Sequence, residues 1–269
     1  MSEPSPYLHG HHESVLRSHR WRTAENSAAY LLPHLHPGAS LLDVGCGPAT
    51  ITSDFVQLVA SGRVVGLDTS EAVLDLARDT VGDTAVEFRR GDVMALPFDD
   101  GEFDVVHGHQ VLQHLVDPVG ALREMARVCR SGGVVAARDA DFPAMSWYPH
   151  DPDLDEWLAL YLRVAYTNGT EPAAGRQLLG WANEVGFEEV TASASTWCYA
   201  TDELRQWWGT LWADRMTHSE VARRSLELEY ATPSDLERIA DAWRRWGSSP
   251  DGWFVVVNCE ILARPGSAR

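Results

Sequence analysis

The chain has 269 residues, 45% of them hydrophobic and 23% charged, enough to bury an ample core as one large domain or a domain with a sizeable insertion. Its 22 basic residues face 39 acidic ones, and the formal charge of −17 repels phosphate backbones and anionic lipid, so neither nucleic acid nor a membrane surface is expected as a partner. Every basic residue is arginine, which removes Schiff-base lysines, a phosphate-loop lysine and a lysine general base. Cys46, Cys129, Cys198 and Cys259 are scattered and form no CxxC pair, arguing against a zinc site and a disulfide framework. The polar Met1–His12 stretch lacks an apolar h-region, and no apolar run approaches bilayer length; a cytoplasmic protein is expected.

A leader at about 13–35 reads as largely helical, with Thr23 as a cap and Pro33 at the exit. Short apolar runs follow at 41–46, 63–68, 85–89, 103–108 and 133–139, with helical patterns near 50–61, 70–79 and 118–129 between several of them. Strands alternating with helices predict a parallel sheet of the α/β class. Ser70 is a candidate N-cap, and Pro118 suits the first turn of its helix. Gly175–Val185 reads as a helix, and Glu188–Thr196 and Phe254–Leu262 as strands. An insertion at about 201–249 lies between those strands. It carries Leu204, Trp207, Trp208, Leu211 and Trp212, then Leu236, Ile239, Trp243 and Trp246, at amphipathic-helix spacing. Of 11 tryptophans only Trp21 precedes position 147; the others form either an internal seam or, in part, an apolar substrate pocket.

The sharpest local signal is the apolar strand Leu41-Leu42-Asp43-Val44 running into Gly45-Cys46-Gly47-Pro48-Ala49-Thr50 and a helix. Asp68 closes a second apolar run about twenty residues on, where a carboxylate can take both ribose hydroxyls of a nucleoside. The glycine turn alone also fits a dinucleotide site, or a tight turn with no ligand.

Taken in order, four blocks resemble the class I S-adenosylmethionine-dependent methyltransferases, in the branch similar to the ubiquinone/menaquinone-biosynthesis methyltransferases. They are Leu42–Pro48, Gly66–Ser70, Arg90–Val93 with Leu96-Pro97-Phe98, and Phe103–Val106 leading through His109–Leu115 to Arg127-Val128 and Ser131–Gly133. The likeness covers about 38–140. Ala49 departs from it, standing where such loops often carry a third glycine. The resemblance implies a Rossmann-like, doubly wound, seven-stranded and mostly parallel sheet with a helical N-terminal leader and a helical insertion before the last strand. It divides the chain into a leader or lid (1–37), a cofactor-binding core (38–141) and a C-terminal part with a substrate-enclosing insertion (142–269).

It also implies S-adenosylmethionine as cofactor and S-adenosylhomocysteine as product. Gly45 and Gly47 would admit the methionine and ribose portions, Asp43 would meet the ammonium, Asp68 with Thr69 the ribose, and Asp92 with Gly91 and Val93 the adenine. His109 and Gln110 would flank the methionine end. No metal is expected. In-line transfer to a small organic acceptor needs a base only if the acceptor must lose a proton. His109 and Asp139 are the leading candidates for that base, ahead of His114 and Asp141. His9, His11 and His12, with Tyr7, Trp21 and Arg22, read as a basic-aromatic lid rather than a metal site. Competing readings keep the cofactor for a non-methylating reaction, or retain the pocket as a nonenzymatic binding module. Arsenite methylation is set aside for want of a cysteine cluster. The acceptor, the methylated atom and whether the chain forms a homodimer stay open at this point.

Overall fold

In a computed structural model of the chain, residues 18, 19 and 21–266 are described; Tyr7, His9, His11, His12 and the start of the expected leader helix lie outside them. The chain forms two compact units. One comprises His19–Asp139, Ala174–Ser195 and the chain from Cys259; the other comprises Ser18, Ala140–Ala173 and Thr196–Asn258.

The first unit opens with a short helix α1 (Ala24–Ser27) and a 3-10 turn Leu32–His34. Thr23 caps α1 in a reciprocal box with Asn26, and Pro33 sits at the start of the 3-10 turn, so from residue 21 on the leader carries a short helix and a 3-10 turn. Then come β1 (Ser40–Val44), α2 (Thr50–Leu58), β2 (Arg63–Asp68), α3 (Glu71–Val81), β3 (Val86–Arg90), β4 (Phe103–His109), α4 (Pro118–Val128) and β5 (Cys129–Ala140). Ser70 accepts from the Val73 amide to start α3 and Pro118 sits in the first turn of α4, as the sequence predicts; Asp117 caps α4. Later come α6 (Ala174–Val185) and the portions up to Ser195 of β7 (Glu189–Tyr199) and from Cys259 of β8 (Trp253–Arg264). The order of the sheet is β3-β2-β1-β4-β5-β8, with β7 also paired to β8. The pairs β1/β2, β2/β3, β1/β4 and β4/β5 are parallel.

Alternation along the strands separates two apolar faces. Leu42, Val44, Val106, Val135 and Ala137 pack with Leu122 and Met125 of α4 and Leu178 and Ala182 of α6. Leu41, Val105, Val134 and Ala136 pack with Ala24, Ala28 and Leu31 of the leader and Ile51, Phe55 and Val59 of α2 and its end. The chain reverses its winding between β1 and β4, and open α/β sheets hold ligands at the carboxyl ends of strands beside such a reversal.

The second unit contains β6 (Ser146–Tyr148), which pairs antiparallel with Trp253–Val255 and brings the sheet to eight strands. At three residues it is too short to show a period. Its helices are α5 (Pro152–Thr167), α7 (Asp202–His218), α8 (Glu220–Glu227) and α9 (Pro233–Ser248). Trp157, Trp212 and Trp243 are fully buried against one another, with ring centroids 4.6 to 5.7 Å apart, and Phe254 joins them. The tryptophan stripe therefore forms this unit's own core. α7 and α9 approach so closely at Gly209 that an added Cβ would stand 2.6 Å from the Trp243 carbonyl oxygen.

Candidate functional site

Three loops at the carboxyl ends of β1, β2 and β3 are tied together by their own backbones. Gly45 and Gly47 have φ of +65° and +55°, the left-handed region that glycine enters without a Cβ penalty. The Cys46 amide donates to the Leu67 carbonyl at 3.0 Å, the Gly47 amide to Asp68 Oδ2 at 3.2 Å, and the Gly91 amide to the Asp68 carbonyl at 3.1 Å. The other Asp68 oxygen accepts from the Ser70 amide at 3.0 Å, so one half-buried carboxylate braces the glycine turn and the start of α3 together. The β4 loop closes on the same turn: a Cβ on Gly45 would stand 2.5 Å from Val111 Cγ2. Ala49, which follows the turn, is itself left-handed at φ +62° and fully buried.

Around this turn the expected cofactor residues separate by environment. Asp68, Gly45, Gly47 and Gly91 converge. Val93 is buried, whereas Asp92 is exposed and accepts from the Met94 amide at 2.9 Å. Thr69 is exposed and offers its carbonyl to Arg90. Asp43 has both oxygens engaged inside the protein: Oδ1 lies 2.7 Å from His107 Nδ1 and Oδ2 accepts from Thr52 at 2.5 Å. Gln110 adopts a left-handed φ of +54°, donates its amide to the Arg138 carbonyl, and receives Arg22 on Oε1 at 2.6 Å.

The two leading base candidates do not form a pair. His109 registers opposite Arg138, and strand alternation turns Asp139 to the opposite face of the sheet. His109 is buried, and burial together with the nearby Arg22 and Arg138 charges holds its pKa well below the usual histidine range. Its imidazole is therefore neutral and a weak base. Asp139 is fully buried, with its pKa pushed up to about 7 by burial against the opposing effect of amides from Gln113 and Leu112. Its Oδ1 accepts the Gln113 amide at 3.1 Å, capping the 3-10 turn Leu112–His114, while Oδ2 is buried with no hydrogen-bond partner. In the neighbouring turn, burial drops the His114 pKa to about 3, and its Nε2 lies 3.0 Å from Gln113 Nε2. Asp141 is buried and its amide donates to the Val257 carbonyl.

Two polar contacts escaped the sequence reading, His107 with Asp43 and Arg138 with Glu260. His107 lies in register with Asp43, and its presence was signalled only by the His107-Gly108-His109 alternation of β4. Arg138, 1% exposed, reaches Glu260 at 3.2 Å, and that carboxylate also receives Ser193 and Ser195. Glu260 lies 122 residues further along the chain, and no local pattern links the two.

The comparisons with known proteins agree with this geometry. A family described as "Methyltransferase domain" matches residues 42–137, the segment that carries every loop just described. A methyltransferase of Schizosaccharomyces pombe is 37% identical over 97% of this chain and 98% of its own. The chain belongs to the class I S-adenosylmethionine-dependent methyltransferase family. Over 41% of this chain and 46% of its own, a demethylmenaquinone methyltransferase of Lactococcus lactis is 38% identical. A solved structure from Bacillus halodurans, titled a methyltransferase, superposes with a TM-score of 0.57 over 89% of this chain and 98% of its own, at 22% identity, a likeness of fold. The chain is thus a methyltransferase with the expected Rossmann-like sheet.

Proposed function

We propose that this methyltransferase uses S-adenosylmethionine to methylate a small organic acceptor at the carboxyl edge of β1, β2 and β4. The observation that carries the reading is the bracing of Gly47 by Asp68: two glycines in left-handed geometry leave backbone open to a ligand, beside a half-buried carboxylate at the end of the neighbouring strand. When bound, S-adenosylmethionine would supply an electrophilic methyl group on sulfur.

The chain's own residues do the remaining work. Asp68, with Thr69 beside it, would hold the ribose; Gly91, Asp92 and the buried Val93 would meet the adenine; Gly45 and Gly47 would admit the methionine portion. The oxygens of Asp43 are spent on His107 and Thr52, so this carboxylate would act on the ammonium through its negative field and the turn it rigidifies. His109 and Gln110 would bound the methyl-transfer path, with His109 as a neutral wall and Asp139 as the group able to take a proton. Most of the rate would come from holding acceptor and methyl collinear away from water. Four free cysteines are compatible with a reducing compartment. Among the described residues no helix is long and apolar enough to cross a membrane.

Calorimetry with S-adenosylmethionine, followed by release of S-adenosylhomocysteine on a metabolite panel, tests the reading. Saturable binding and a product heavier by one methyl are expected; no binding, or binding with no methylated product from any acceptor, overturns it.

A further inference from the structure

We infer that the open edge of β7 is an interface between two copies of this chain, where the strand pairs antiparallel with itself about a two-fold axis at Ser193. The two edges of the sheet are built differently. At one of them β3 pairs with β2, and its exposed Glu87, Arg89 and Arg90 set charges of both signs along the strand, a guard against the approach of a further one. At the other, β7 pairs with β8 and with no second strand among the described residues. Residues 190–201 hold no charged residue, no proline and no glycine, in a chain that is 23% charged. Thr191, Ala192, Ser193 and Ala194 are all exposed, so neither face of the strand is covered there. A row of backbone donors and acceptors is thus left open with none of the devices that keep other strands away.

The ladder sets the direction of that row. The Glu188 amide donates inward to the Arg264 carbonyl at 3.1 Å, and successive residues of a strand alternate between its two sides, so Thr191, Ser193 and Ser195 turn their backbone groups outward. The side chains then select the partner. Thr191-Ala192-Ser193-Ala194-Ser195 reads nearly the same in both directions. An antiparallel pair centred on Ser193 sets Ser193 against its own counterpart, Thr191 of one copy against Ser195 of the other, and Ala192 against Ala194. In this register the outward-facing residues meet one another, as the hydrogen bonds of an antiparallel pair require.

Each opposed pair is matched in size, and no charge meets a like charge. The hydroxyls are complementary as well: Ser195 gives its proton to Glu260 and keeps lone pairs, so Thr191 of the other copy can donate to it. A strand of unrelated sequence gains nothing from this symmetry, whereas a second copy matches at every position at once. The interface is isologous and uses up the open edge of both copies, and the charged β3 edge offers no place for a third. The assembly therefore closes at two chains.

Sedimentation equilibrium of the full chain at micromolar concentration tests this. Wild type should sediment at twice the 29.8 kDa of one chain. Two double variants at the same exposed positions then read the register. Ala192→Lys with Ala194→Lys sets like charges against each other on both sides of the axis and should give the mass of one chain. Its circular dichroism should match wild type, because both positions are exposed. Ala192→Glu with Ala194→Lys sets opposite charges against each other at the same two places and should sediment as the dimer. Thr191→Pro removes an outward amide and no bond to β8, and should also give the mass of one chain. Hydrogen exchange at the Thr191, Ser193 and Ser195 amides should be slow in wild type and fast in the doubly lysine-substituted variant, which locates the contact on the backbone. Wild type at the mass of one chain, an assembly larger than two, a dimer that survives both lysines, or a dimer lost equally in the two double variants each overturns the assignment.

Discussion

Asp43 Oδ1 and His107 Nδ1 stand 2.7 Å apart at paired positions of adjacent parallel strands, with neither side chain more than a few per cent exposed. The contact fixes the His107 ring orientation beneath the glycine turn, and Thr52 at the start of α2 completes the carboxylate's shell. Asp43→Ala removes the acceptor of two buried donors at once. It should destabilise the chain by about 2–4 kcal/mol, while Asp43→Asn, which keeps one acceptor oxygen, should cost less. Urea unfolding of both variants checks the order; equal losses would show that the carboxylate's second oxygen contributes nothing.

Asp68→Ala cuts the brace between the Gly47 amide and the start of α3 and removes the expected ribose acceptor. Cofactor affinity should fall by about 1–3 kcal/mol, roughly 5- to 150-fold, by calorimetry. Exposed Asp92 should show the smaller loss on conversion to alanine, because its partner stays in contact with water.

Ala49→Gly should stabilise the protein. An alanine at φ +62° costs about 1–2 kcal/mol relative to glycine, against roughly 0.4–1 kcal/mol of added chain entropy in the unfolded state. The difference leaves a gain of about 0.5–1 kcal/mol, a rise in melting temperature of about 1–4 °C. Scanning calorimetry decides; a lower melting point would mean that the Ala49 methyl, fully buried, packs well enough to outweigh its backbone strain.

Stability should fall away on both sides of mildly acidic pH. Asp139 is protonated in the folded chain up to about 7 but would ionise near 4 when unfolded, so its contribution is complete below about 4 and lost as pH rises toward 7. His114 works on the other side: its folded pKa of about 3 lies below the ordinary 6.5, so stability is lost as pH falls from 6.5 toward 3. Asp139→Asn should remove the alkaline decline and be the more stable protein above pH 7. His114→Gln should soften the acid limb. Denaturant titrations across pH 4–8 measure both.

Gly209→Ala should destabilise the second unit by about 1–3 kcal/mol, since the new methyl meets the Trp243 carbonyl at 2.6 Å and the helices must part. Tryptophan fluorescence during unfolding reads this unit directly, because Trp157, Trp212 and Trp243 form its centre.

Much of the first unit was legible in the residues. Apolar runs near 41–46, 63–68 and 103–108 are period and composition effects, and they fall on β1, β2 and β4 to within a residue or two. Ser70, Thr23 and Pro118 act where local capping chemistry puts them. Helix α5 carries its own local signals, the Asp151 cap with Pro152 in the first turn and the buried spacing of Leu154, Trp157, Tyr161 and Val164, which the sequence analysis does not include. β6 is too brief to announce itself.

What the sequence determined by itself was the family and most elements of the first unit, because strand period, glycine turns and caps depend on neighbours a few residues away. Only the tertiary structure decided the protonation and direction of the groups that matter. His109 became a neutral wall through burial beside Arg22 and Arg138, Asp43 was turned inward to His107, and Asp139 was dried until it held its proton near neutrality. Desolvation and long-range charge act through space, between residues that the chain order keeps far apart.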